Sequence, residues 1–157
     1  MDRDESGSGE SSGQAVTERN TTKEVGGLME KKVRETVESY FRLVNEEKFD
    51  EFFELFDPDV EFKAPFNFKT RGLENVKPFY LRVPVDFPEH VDTPEEILVS
   101  GNRAAVFIDF KGRTKDGISV DFKATDWFRI EGGKIKSLNI FLDSHHLSKV
   151  VAGKKKP

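Results

Sequence analysis

Residues 118–142 read ISVDFKATDWFRIEGGKIKSLNIFL, two strand-like runs joined by Glu131-Gly132-Gly133-Lys134. Glycine at both central positions of that connection can take the positive φ that a two-residue hairpin turn needs. In the first run Val120, Phe122, Ala124, Phe128 and Ile130 share one face, and Asp121, Lys123, Thr125, Trp127 and Arg129 share the other. This is the period-two signature of a half-buried strand. Asp126 interrupts it, because it falls on the apolar face between Ala124 and Phe128. A carboxyl aimed at the interior must be hydrogen-bonded, paired or protonated, since burying a bare charge is costly. It serves either as a structural hydrogen-bond partner or as a group that touches a ligand, and the strand alone leaves both open.

Working outward, Glu96 to Gly101, Ala104 to Gly112, Ser119 to Ile130 and Lys134 to Leu142 read as consecutive antiparallel strands, with turns at Gly101-Asn102 and Asp116-Gly117. Upstream, Met29, Val33, Val37, Tyr40, Phe41 and Val44 recur at helical spacing and predict an amphipathic helix from Glu30 to Asn45. Phe49, Phe52, Phe53 and Phe56 predict a shorter helix that stops before Asp57-Pro58. Val60 to Lys63 reads as a short strand ended by Pro65, and Phe66-Asn67-Phe68 as a loop. A third helix follows Gly72 with Leu73, Val76, Phe79 and Tyr80 on one stripe, and the prolines at 84, 88 and 94 mark Arg82 to Thr93 as a loop. Asp143-Ser144-His145-His146 closes the last strand and caps a short final helix.

Helices first and a meander of long strands after them predict an α+β domain, with the helices covering one face of a curved sheet. Such a cone leaves a blind cavity at its open end. The side chains expected to line it are Phe56, Phe62, Phe79, Phe122, Phe128, Leu138 and Ile140, drawn in part from fifteen phenylalanines. An apolar, aromatic cavity suits a hydrophobic small molecule better than a sugar or phosphate. The alternative is that the rings simply fill it.

The 157 residues, 36% hydrophobic and 34% charged, suffice for one domain with a core. Residues 1–28 form a tail rich in Ser, Gly, Glu and Thr that is expected to be disordered, residues 29–150 the folded domain, and residues 151–157 a short basic tail. A net charge of -4 gives no electrostatic reason to expect nucleic acid. Cysteine is absent, which removes disulfides and thiolate chemistry, and no apolar run is long enough to span a bilayer. The expectation is a cytoplasmic protein without membrane contact. The sequence carries no GxSxG, GxxxxGK[ST], GxGxxG or HExxH motif. His145 and His146 beside Asp143 are a thin metal signal and His90 a thinner one, so neither metal nor cofactor is expected. What stays open is proton-transfer or water-addition chemistry in an apolar pocket, or binding alone.

The phrases VESYFRLVNEEKFDEFFELFDPDVEF and TDWFRIEGGKIKSL, in this order of elements, resemble the nuclear transport factor two-like superfamily, in particular its SnoaL-like polyketide cyclase and ketosteroid isomerase branches. The resemblance runs from about Val33 to Leu147 and implies a cone-shaped α+β fold. In ketosteroid isomerases a tyrosine of the first helix and a protonated aspartic acid of a late strand hold an oxyanion, the carboxyl being kept neutral by its apolar site so that it can donate. Tyr40 and Asp126 match those positions. The aspartate that acts as base in that branch corresponds here to Ala64, which cannot accept a proton. The cyclase branch places acids on the last strands, which singles out Asp143, either as a pocket acid or as an N-cap. The resemblance also implies a homodimer paired through the outer face of the long strands, where Trp127 stands among polar neighbours.

Overall fold

The computed structural model describes residues 11–152. Four helices and six strands follow in the order α1 (Ser11–Asn45), α2 (Phe49–Phe53), β1 (Phe56–Ala64), β2 (Phe68–Arg71), α3 (Leu73–Asp86), β3 (Glu89–Ser100), β4 (Arg103–Arg113), β5 (Ser119–Glu131), β6 (Lys134–Leu142) and α4 (Ser144–Ala152). The strands form one open sheet in the order β2-β1-β6-β5-β4-β3. All neighbours are antiparallel except β1 and β6, which run parallel. That pairing brings the first and last strands together and curls the sheet around the helices. The α+β class and the mixed, curved sheet are thus as expected.

The β5–β6 hairpin turns through Gly132 and Gly133 at φ 58° and 72°, with Glu131 opposite Lys134. Along β5 the alternation holds without a slip: Val120, Ala124, Asp126, Phe128 and Ile130 are buried while Asp121, Lys123 and Trp127 are exposed. Val33, Val37, Tyr40, Phe41 and Val44 bury one stripe of α1 against β3, β4 and β5. The core is closed at the other end by α3, which packs Val76 and Tyr80 over β1.

Five boundaries differ from expectation, each for a local reason. The helix α1 starts at Ser11, so residues 11–27, expected to lack regular structure, continue it. Residues 21–32 bury no side chain, and Met29, expected in the stripe, is 45% exposed, so the helix there has no packed apolar face. Residues 1–10 and the basic tail at 153–157 lie outside the described residues. The second helix ends at Phe53, and Phe56 opens β1 instead; the register irregularity between Phe56 and Glu61 accommodates Pro58, which has no N–H to give. Phe68 belongs to strand β2, not to a loop; its four residues lack buried alternation because β2 is an edge. Arg82 to Asp86 extends α3, despite Pro78 and Pro84.

The last correction is β3, which begins at Glu89 where a loop was expected. Its prolines were misleading because β3 is the other sheet edge, where a missing N–H costs no ladder bond. The register shifts between Pro94 and Glu96. Two residues earlier Asn45 clamps the strand from outside: its Nδ2 donates to the Asp92 carbonyl at 2.7 Å, and the Asp92 N–H donates to its Oδ1 at 2.9 Å. Asn45 is the last residue of α1, so this pair fixes where the helix sits over the sheet.

Candidate functional site

Inside the cone the helices and the sheet bring four oxygen-bearing side chains together. Tyr40 comes from α1, Tyr80 from α3, Asp126 from β5 and Asp92 from β3. The hydroxyls of Tyr40 and Tyr80 hydrogen-bond at 2.6 Å, fully within the protein. Two phenols hold two protons and their mutual bond uses one, so the pair keeps one O–H to donate elsewhere. Aromatic rings wall the pair: Tyr40 has its centroid 5.0 Å from Phe52 and 5.1 Å from Phe128, and Tyr80 lies 4.8 Å from Phe52.

Asp126 is 4% exposed. Burial, and secondly the charge of Asp92, push its carboxyl well above the ordinary range, which favours its protonated form. Among the described residues no fully enclosed side-chain oxygen or nitrogen lacks a hydrogen-bond partner. Tyr40 and Tyr80 are likewise raised well above the usual phenol value, first by burial; Asp126 is a further cause for both. Burial thus favours the neutral, proton-carrying form of Tyr40, Tyr80 and Asp126 within an apolar wall. Such groups can donate to a carbonyl or enolate oxygen at little reorganisation.

Asp92 differs. It is half-buried, and burial raises its carboxyl to about 6, partly offset by His90. A group of that pKa takes up and releases protons near neutrality, as an acid–base catalyst must. His90 itself donates Nδ1–H to the Phe87 carbonyl at 2.8 Å and stacks on Phe110.

The structure brings Tyr40 and Asp126 together, as the inward faces of the two elements require. It does not bring Asp143 to them. Asp143 is exposed, and its Oδ1 accepts the backbone N–H of His146 at 2.9 Å, so it caps α4. Of the side chains expected to line a cavity, Phe56, Phe62, Phe128 and Leu138 are wholly enclosed in the core, while Phe79, Phe122 and Ile140 are partly buried against it. Ala64 is buried at the end of β1. Asp109 turns to the outer face and pairs with Lys123 at 3.1 Å and Lys111 at 3.8 Å. No group of three His, Cys, Asp or Glu among the described residues is arranged to hold a metal ion.

Sequence reasoning missed Tyr80 and Asp92 as members of the cluster. Tyr80 carried a signal, since its hydroxyl sits on the apolar stripe of a helix and must find a partner. Asp92 was hidden among prolines.

Outside the cone, Leu98, Phe107, Trp127 and Phe141 are exposed on β3 to β6. Phe107 and Phe141 both face Thr125, and Trp127 lies between Ala105 and Asn139, so these rings occupy adjacent rows of one surface. No described helix is long and apolar enough to cross a membrane.

A family model described as the SnoaL-like domain matches residues 37–138. Among solved structures, a nuclear transport factor two-like protein of unknown function from Burkholderia pseudomallei K96243 shares 20% identity at a TM-score of 0.71, covering 76% of this chain and 97% of that one. A protein provisionally named a SnoaL-like polyketide cyclase, from Jannaschia sp. CCS1, shares 18% at 0.75, covering 82% and 96%. TerC, co-crystallised with polyporic acid, shares 16% at 0.70, covering 77% and 98%. Likeness at these identities is likeness of fold. No curated protein matches the sequence.

Proposed function

Because the chain belongs to the SnoaL-like domain family of the nuclear transport factor two-like superfamily, we propose that it takes a small hydrophobic carbonyl compound into the cone and polarises the carbonyl oxygen. The donors are Asp126 and the free O–H of the Tyr40–Tyr80 pair, and the chemistry is of isomerase, cyclase or hydratase type without a cofactor. The observation that carries this reading is the 2.6 Å tyrosine pair in one cluster with a buried carboxyl whose neutral form burial favours. The mutual bond of the two tyrosines uses one of their two O–H groups and leaves the other for a ligand oxygen. With alanine at position 64, the base in this reading is Asp92, whose pKa of about 6 suits proton abstraction near neutrality. TerC, a neighbour in fold, was co-crystallised with polyporic acid, which is in keeping with a small-molecule ligand for this chain.

The enclosed rings of Phe56, Phe62 and Phe128 favour a second reading, in which the cluster is a hydrogen-bonded core and the chain acts by association. The apolar outer surface supports that association as a homodimer, with Trp127 at its centre. A panel of hydrophobic ketones and quinones, screened by ligand-observed NMR, separates the readings. Under the first, Asp126→Asn weakens binding or turnover in part, and Asp126→Leu abolishes it while leaving unfolding stability equal or higher. If Asp126→Leu is clearly destabilised and no compound distinguishes it from the wild type, the cluster is architecture.

A further inference from the structure

We propose that a second site, on the rim of the cone between β1, β2 and the end of β6, binds a small amphipathic carboxylate through Lys63 and Lys69. A cleft of about 420 Å³ opens there, within the size range of small-molecule sites. Its charged wall is unusual. Lys63 and Lys69 are direct partners across the β1–β2 pair, both exposed, and like charges in that relation repel. The next pair on the same face of the same two strands, Glu61 and Arg71, is complementary and forms an ion pair at 3.8 Å. Neither lysine is matched by an acid in this way: the ion pairs of the described residues involve other cations. The neighbouring carboxylate, Asp143, forms no ion pair with either lysine and caps α4 through the His146 N–H. The wall thus carries two adjacent cations without an ion-pair partner beside a concavity, which favours an anion.

The remaining lining sets the rest of the ligand. Asn139 is the partner of Lys63 across β1–β6, and Asn67 stands in the β1–β2 turn, so neutral amide groups flank the lysines. Phe141, 56% exposed, stands two residues along β6 from Asn139 on the same face as the lysines, while Phe68, Ile140 and Leu142 close the cleft from its core-facing side. A charged head among lysines and amides, with an apolar body against the Phe141 ring, describes an aromatic or aliphatic carboxylate. A polyanion would leave the ring unused, and a neutral compound would leave the lysines repelling each other.

This site uses neither Tyr40 nor Asp126, although Ile140 in its lining is the cross-strand partner of Asp126, and the test keeps the two apart. The full chain, labelled with ¹⁵N, is titrated with 2-naphthoate and with its neutral counterpart 2-naphthamide. Saturable shifts are expected at the amides of Lys63, Asn67, Lys69 and Asn139, with naphthoate binding roughly tenfold or more tightly than the amide, as one charge-assisted contact provides. Lys63→Gln/Lys69→Gln should lose that preference, and Asp126→Leu should keep it. The exchanged side chains are exposed and the change removes a repulsion, so thermal unfolding of the double variant should be unchanged or raised; each single exchange should give an intermediate loss. Equal binding of the two probes, undiminished naphthoate binding by the double variant, or shifts centred on Tyr40 and Tyr80 instead would overturn the assignment.

Discussion

Replacing Asp92 with asparagine should change how stability depends on pH, in a window that the structure defines. The carboxyl is held at about 6 in the folded chain and returns on unfolding to its ordinary value of 3.8. Between those values the folded protein binds a proton that the unfolded chain has released, so stability falls as pH rises from about 4 to about 6. At 1.36 kcal/mol for each pH unit, the difference amounts to ~3 kcal/mol at most, and ~1–2 kcal/mol once the partial exposure of Asp92 is allowed for. Asparagine keeps the backbone contacts with Asn45, because these use the Asp92 N–H and C=O and not its side chain. Asp92→Asn should therefore match the wild type near pH 3.5 and exceed it by ~1–2 kcal/mol at pH 7. Urea unfolding at half-unit pH intervals measures both curves, and contributions from exposed ion pairs cancel in their difference. A difference that stays flat across the window, or that favours the wild type at pH 7, would refute the reasoning about Asp92. If turnover of a ketone is found, the same variant should remove the acidic limb of its pH profile along with most of the rate.

Asn45→Ala should cost ~1–3 kcal/mol in urea unfolding, because it leaves the Asp92 N–H and C=O without their partner. Deleting residues 2–26 should shift the thermal midpoint little, since residues 21–32 bury no side chain; a large drop would show that the extension is held by something else. Trp127→Glu should weaken self-association in sedimentation velocity without loss of fold, because the ring is 45% exposed on the outer surface. A wild type that sediments as a monomer at micromolar concentration would remove the homodimer.

The parts of the fold that were legible share a property: their burial pattern is local. In β5 each second residue faces the core, so the direction of Asp126 followed from counting, and the Gly132-Gly133 turn set the register with β6 as far as the Ile130–Ile135 pair, beyond which it shifts by one residue. The stripe of α1 gave Tyr40 in the same way. The parts that were not legible depend on position in the sheet. Pro94 reads as a strand breaker unless one knows that β3 is an edge, and Phe68 reads as loop because nothing buries the other residues of β2. The contact between Tyr40 and Tyr80 spans 40 residues and has no trace in either helix beyond a polar tip on an apolar stripe. Asp92 needed both: the edge assignment to make it a strand residue, and the long-range approach of Asp126 to make it matter.

Consider finally the clamp of Asn45 on β3. An edge strand presents a row of open N–H and C=O groups to which any extended chain can add, and growth of that kind ends in fibrils. Here the open groups of Asp92 are already occupied by a side chain of α1, and two residues on Pro94 has no N–H to offer and introduces a break in register. A second strand laid along β3 would have to displace an amide pair and then step over a proline. The helix that holds the cone together thus also seals its flank, and Asn45→Ala should raise the rate of thioflavin-positive aggregation under mild heating by more than its loss of stability alone accounts for.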